Sequence, residues 1–194
     1  DDPNESSFLA VDRRTGKTRW KVERKTFLSS YATPCVRELK NGQKEVVFIE
    51  SAYGMTGVDL KTGKVNWQVA TVDASLPYTI TGAPRVVKDK VLIGNGGAEF
   101  GVRGFVSAYD VNTGDLVWRF YTVPGNPALG FENETMAMAA KTWNGKWYDL
   151  GGGGGTVWDA ITYDPELNLV YIGVGNGSHW NRMIRSPGGG DNLY

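Results

Sequence analysis

One cysteine, Cys35, and one histidine, His179, occur in 194 residues. A lone cysteine permits no internal disulfide, and without a Cys-x-x-Cys-His string the segment attaches no c-type haem. On a strand-like stretch, Cys35 reads as a small buried hydrophobe rather than a nucleophile. His179 has no adjacent metal-ligand partner and reads as a loop residue. No apolar run is long enough to span a bilayer, and the opening residues Asp1-Asp2-Pro3-Asn4-Glu5 lack the basic and apolar regions of a signal peptide. Excess charge of one sign is missing too. With 21 basic and 21 acidic residues the net charge is zero, which disfavours nucleic acid and anionic lipid as partners.

Glycine and tryptophan, by contrast, are plentiful at 26 and 7 residues, the composition of many short strands with tight turns and flat packing surfaces. Three copies of one pattern organise them. They are Asp12-Arg13-Arg14-Thr15-Gly16 leading to Trp20, Asp59-Leu60-Lys61-Thr62-Gly63 leading to Trp67, and Asp110-Val111-Asn112-Thr113-Gly114 leading to Trp118. The aspartates lie 47 and 51 residues apart, a period that fits one propeller blade per repeat. In each copy the carboxylate can accept bonds from turn amides, the glycine supplies a positive φ, and the returning strand presents an indole for packing between sheets.

Further strand pairs are predicted over residues 30–39 with 44–50 and over 80–88 with 90–94. With the repeated motif as the outer two strands of a blade, residues 27–70 and 78–122 each hold four strands, and residues 7–22 hold an outer pair alone. Residues 156–163 and 169–174 supply only an inner pair, within a half blade over 156–180 that precedes a tail over 181–194. The reading is all-β: a partial β-propeller of four-stranded antiparallel blades, two whole and two half. Such a segment is expected to be a piece of a longer protein, or to complete its half blades by pairing them, in one chain or across a homo-oligomer. An insertion over residues 123–155 contains a helix capped by Asn133 and ends in five glycines, whose place before an apolar strand argues for backbone held close to something.

Three stretches, residues 79–84, 94–104 and 173–181, depart from what a structural blade needs. Glu99 and Asn176 follow the inner strand pairs of adjacent blades, which puts both at the same end of the propeller near its axis. Side-chain oxygens converging there suit a hard cation such as Ca²⁺. The alternatives are an ion pair of Glu99 with Arg103 and a plain turn role for Asn176. Trp158, expected on a strand with Thr156 two residues earlier on the same face, could floor a planar cofactor or pack against a neighbouring blade.

The stretches Thr79-Ile80-Thr81-Gly82-Ala83-Pro84-Arg85, Gly94-Asn95-Gly96-Gly97-Ala98-Glu99-Phe100-Gly101-Val102-Arg103-Gly104, Gly155-Thr156-Val157-Trp158-Asp159-Ala160 and Gly173-Val174-Gly175-Asn176-Gly177 resemble the quinoprotein alcohol dehydrogenases. These are propeller enzymes that bind pyrroloquinoline quinone (PQQ) and calcium. Residues 1–70 resemble propeller-repeat proteins without known catalysis, which leaves a repeat scaffold or interaction module as the alternative function. The resemblance implies that Glu99 and Asn176 ligate calcium, that Thr81, Gly97, Ala98 and Thr156 contact the quinone's polar edge, and that Trp158 lies against its ring. It further implies a periplasmic enzyme that oxidises primary alcohols and passes electrons to an acceptor such as a cytochrome. The family's catalytic aspartate corresponds to nothing in these residues, so no catalytic residue is assigned and the active site is expected to be incomplete.

Overall fold

A computed structural model describes residues 6–192. Strands β1 (Ser7–Val11) and β2 (Thr18–Glu23) form a two-stranded sheet. β3 (Cys35–Glu38), β4 (Lys44–Glu50), β5 (Gly54–Asp59) and β6 (Val65–Ala70) form a four-stranded antiparallel sheet in chain order. β7 (Arg85–Val87), β8 (Lys90–Gly94), β9 (Phe105–Asp110) and β10 (Leu116–Tyr121) repeat that arrangement. β11 (Ile161–Asp164) and β12 (Leu169–Ile172) pair by themselves. Two whole blades and two half blades, each built of neighbouring antiparallel strands, make this a partial β-propeller.

The repeated turn folds as its chemistry requires. Asp59 Oδ1 accepts from the amides of Lys61 at 3.1 Å and Thr62 at 2.7 Å, and Asp12 and Asp110 do the same in their own turns. Gly16, Gly63 and Gly114 take φ of 72°, 77° and 78°, the left-handed region. A fourth turn, at Asp164, repeats the carboxylate bonds to Glu166 and Leu167.

The indoles then join blade to blade. Trp20 is buried against Gly63 of the next sheet, where an added Cβ would lie 2.7 Å from the ring, and its Nε1–H donates to Leu60 O at 3.1 Å. Trp67 is buried against Gly114 in the same way, and its Nε1–H donates to the buried Glu45 carboxylate. Trp118 differs. It is 40% exposed, because among the described residues β11 and β12 form an inner pair with no Thr-Gly turn to lie over the ring.

The main core fills the space between the two whole blades, from Val47, Ile49, Met55 and Trp67 on one side to Val91, Ile93, Phe105 and Tyr109 on the other. A second cluster joins Leu92, Val106 and Ala108 to Val157 and Ile161 of the following half blade.

The inner strands are shorter than the sequence predicts. β3 starts at Cys35 and β7 at Arg85, each directly after a proline, Pro34 or Pro84, which has no N–H to donate to a ladder. The segment expected as a strand from residue 156 pairs as β11 only from Ile161. Its first residues, including Trp158, are extended chain whose carbonyl at Thr156 accepts from Gly175 N at 2.9 Å.

The insertion has a small core of its own. Helix α1 (Glu134–Ala140) begins at Asn133, whose side chain accepts from Met136 N. Val123, Trp143 and Trp147 are buried together, and Trp147 Nε1–H donates to Pro124 O at 2.8 Å.

Candidate functional site

The loop after β8 carries the first part of the site. Asn95 is fully buried, and its side chain accepts from Phe105 N at 2.8 Å and donates toward Gly96 O and Arg103 O, so this loop is stapled at its base. Gly97, at φ 99°, starts a short 3₁₀ turn (Ala98–Phe100). That turn lifts Glu99 out as an exposed side chain while Gly97 and Ala98 stay buried beneath it. Among the described residues Glu99 has no hydrogen-bond or ion partner, and Arg103, the alternative partner considered from sequence, pairs instead with Glu132.

The glycine run reaches the site from the opposite side. Residues 151–155 all have positive φ, and a Cβ at Gly151, Gly152 or Gly154 would lie within 3.0 Å of the backbone of residues 101, 103 or 176–178. These glycines let three stretches of main chain pack face to face. Gly104 N donates to Gly154 O and Gly154 N to Val102 O, while Gly155 N donates to Asn176 O and Ser178 N to Gly153 O. The run thus lies between residues 102–104 and 176–178, bridged to both, and delivers Thr156 and Trp158 directly after it.

Around this junction lies a cavity of about 490 Å³ lined by Thr79, Thr81, Gly96, Gly97, Ala98, Glu99, Thr156, Trp158, Asn176 and Trp180. All seven residues singled out from sequence are in that lining. Thr156 is buried at its floor, and Trp158 is 50% exposed, leaving half its surface open. Thr81 Oγ1 lies 3.4 Å from Trp158 O, its partner across the blade boundary. Asn176 Nδ2 donates to Gly177 O, so its Oδ1 is left as an acceptor.

Thr79, Gly96 and Trp180 were missed as lining residues. Thr79 shares strand parity with Thr81, a signal present in the sequence, and Gly96 precedes Gly97 directly; Trp180 sits on a loop whose course no periodicity gives. Glu99 also borders a second cavity of about 330 Å³ with Ser178, His179, Trp180, Asn181 and Ile184.

The donor set bears on what could be held. Among the described residues no three His, Cys, Asp or Glu side chains cluster, which leaves one carboxylate and one amide oxygen at the mouth. Such hard oxygens fit a cation that accepts six to eight oxygen ligands and completes its shell from water or a bound molecule. The open indole and the glycine-lined walls at Gly96 and Gly97 fit a flat molecule beside it.

A family model described as "PQQ: Glucose/ethanol/alcohol dehydrogenase, beta-propeller domain" matches residues 3–194, and so takes in the first seventy residues as well as the rest. The quinohemoprotein alcohol dehydrogenase ADH IIB of Pseudomonas putida is 54% identical over 193 residues, covering 97% of this chain and 28% of that protein. The quinohemoprotein alcohol dehydrogenase of Comamonas testosteroni is 46% identical over 192 residues. Among solved structures, ADHIIG of Pseudomonas putida superposes with a TM-score of 0.83 at 47% identity, over 98% of this chain and 29% of that one. The Comamonas testosteroni enzyme superposes with a TM-score of 0.82. The chain therefore spans under a third of the length of these relatives, and over its matched residues it belongs to the β-propeller family of the PQQ-dependent glucose, ethanol and alcohol dehydrogenases.

Proposed function

We propose that these residues form the part of a PQQ- and calcium-dependent alcohol dehydrogenase that cradles the quinone and one side of the metal. The observation that carries this reading is the convergence of seven residues from four separate stretches of chain on one cavity, with Glu99 unpartnered and Trp158 half open. When bound, PQQ supplies a hydride acceptor and Ca²⁺ a Lewis acid. The chain's own work is binding and orientation. Trp158 offers a flat apolar face, Thr81, Thr156 and the backbone at Gly97 and Ala98 offer polar contacts to the quinone's edge, and Glu99 and Asn176 offer oxygens to the cation.

The proposed substrates are primary alcohols, and the proposed electron acceptor is a cytochrome or a dye that replaces it. A periplasmic site of action fits that chemistry. No residue here is assigned as the catalytic base, so binding is the property to test in the 194-residue chain.

Titrating PQQ in the presence of Ca²⁺ should quench indole fluorescence and raise the melting temperature. Glu99→Ala should abolish the calcium-dependent part of both signals, and a response that survives this change would overturn the metal assignment. Trp158→Ala should weaken quinone binding roughly 10-fold, the equivalent of about 1.4 kcal/mol for one aromatic stacking contact. A repeat scaffold without a cofactor would show no response in any of these measurements.

A further inference from the structure

Arg103 does not line the cofactor cavity, yet several segments that build the site meet at it. Its amide segment pairs with Gly154 through the bridge that places the glycine run. Its carbonyl accepts from the Tyr78 hydroxyl at 3.3 Å and from Asn95 Nδ2 at 3.4 Å. The side chain is 18% exposed, and its guanidinium lies 3.8 Å above the centre of the Tyr121 ring. Nε–H donates to Val123 O at 2.7 Å, and the two terminal nitrogens fork onto Glu132 at 2.7 and 3.1 Å. Glu132 belongs to the insertion and does not line the cofactor cavity.

We infer that the Arg103–Glu132 pair is a positioning latch for the cofactor site, clamping the insertion onto the three-strand junction that sets the spacing of Glu99, Thr156 and Asn176. The junction is all glycine from residue 151 to 155, so that stretch has no side chains of its own to hold its place. Residues 102–104 form one edge, and of these only Arg103 carries a polar side chain. Its planar fork fixes both the direction and the distance to Glu132, which a single-point cation would not do. The same guanidinium holds the Glu132 carboxyl below the usual carboxylate range, consistent with a formed pair. A shift of the latch would move Glu99, four residues before Arg103, relative to Thr156 and Asn176 on the facing stretches of chain.

This inference rests on the PQQ and calcium reading for one of its two tests and is independent of it for the other. The Glu132 side chain is 41% exposed, so Glu132→Ala should fold. It should weaken calcium-dependent PQQ binding by roughly 10-fold, the low end for partners that orient metal ligands. Glu132→Gln, which keeps one acceptor oxygen, should fall between that variant and the wild type. In hydrogen exchange, the amides of Gly154, Gly155 and Ser178 should exchange faster in Glu132→Ala, while those of β4 and β5 stay unchanged. Unchanged exchange at these three amides would overturn the latch whether or not PQQ binds. Wild-type binding that Glu132→Ala leaves intact would overturn it as well. A wild type that does not bind PQQ would remove the proposed function while leaving the exchange result to decide on the latch.

Discussion

At Gly63 an added Cβ would lie 2.7 Å from the Trp20 ring, at Gly114 3.0 Å from Trp67, and at Gly16 it would meet nothing within 4 Å. All three glycines have left-handed φ, which costs an L residue about 1–2 kcal/mol. Gly16→Ala should therefore lose only that backbone term, and Gly63→Ala should lose about 1–3 kcal/mol more by displacing a packed indole. Urea unfolding of the two variants measures the difference, and equal losses would contradict the docking role of Trp20. Nearby, the turn aspartates make stability depend on pH. The Arg19 guanidinium holds the Asp12 carboxyl low, the Thr62 hydroxyl does so for Asp59, and the Asn112 amide does so for Asp110. A depressed folded pKa means that the unfolded chain binds protons first, so this stabilisation is present above the ordinary aspartate value of 3.8 and is lost as pH falls through the lower folded values. The melting temperature should hold steady down to about pH 5 and drop below about pH 4, less steeply in Asp59→Asn. Cys35 is half-buried rather than buried, packed against the edge of the main core, and that desolvation pushes its thiol up to about 11. It should alkylate slowly near neutral pH, and rapid labelling would contradict that burial.

Within a blade, strand spacing puts a charge where it can be satisfied only by its neighbours. Glu45 on β4 is 1% exposed and accepts from Arg37 of β3 at 2.7 Å and from Asn66 and Trp67 of β6. Arg37 also donates to Val111 O of the following blade. Glu45→Ala would leave that guanidinium buried without its counter-charge and should cost about 3–5 kcal/mol, measured by chemical denaturation. The strands themselves were legible from alternation and from the Asp and Gly turn residues. Their starts were not, because Pro34 and Pro84 end the ladder one residue before β3 and β7, and a proline's effect on pairing depends on which neighbour would have accepted its bond. The five glycines of residues 151–155 were legible as a close approach, but the chain they approach lies some fifty residues away at Gly101 to Gly104, a contact no local pattern contains. The Asn133 helix cap shows the opposite case, since its bond to Met136 lies within one turn and the sequence alone predicts it.

Across the whole molecule, the two docked indoles define what the undocked one lacks. Trp118 is exposed and Gly16 is open, and each matches the partner that the other kind of residue finds elsewhere in the array. For the isolated 194-residue chain the proposal is a two-copy ring, in which β1 and β2 of one copy complete the blade begun by β11 and β12 of the other. Light scattering should then show a dimer that Trp118→Ala weakens, and a compact wild-type monomer would eliminate it. The sequence by itself determined the turn chemistry, because each turn joins residues a few positions apart, and its recurrence at a near-constant period marked the blades and the place of each indole; the docking of Trp20 on Gly63 and of Trp67 on Gly114 spans more than forty residues and is tertiary. The sequence also marked Glu99, Thr156, Trp158 and Asn176 as departures from that period. Only the tertiary structure decided that they share one cavity and that Arg103 turns away from Glu99 to Glu132. Those outcomes depend on the packing of three distant backbone stretches, whose relative depth is set by glycines with no side chain to announce what they touch.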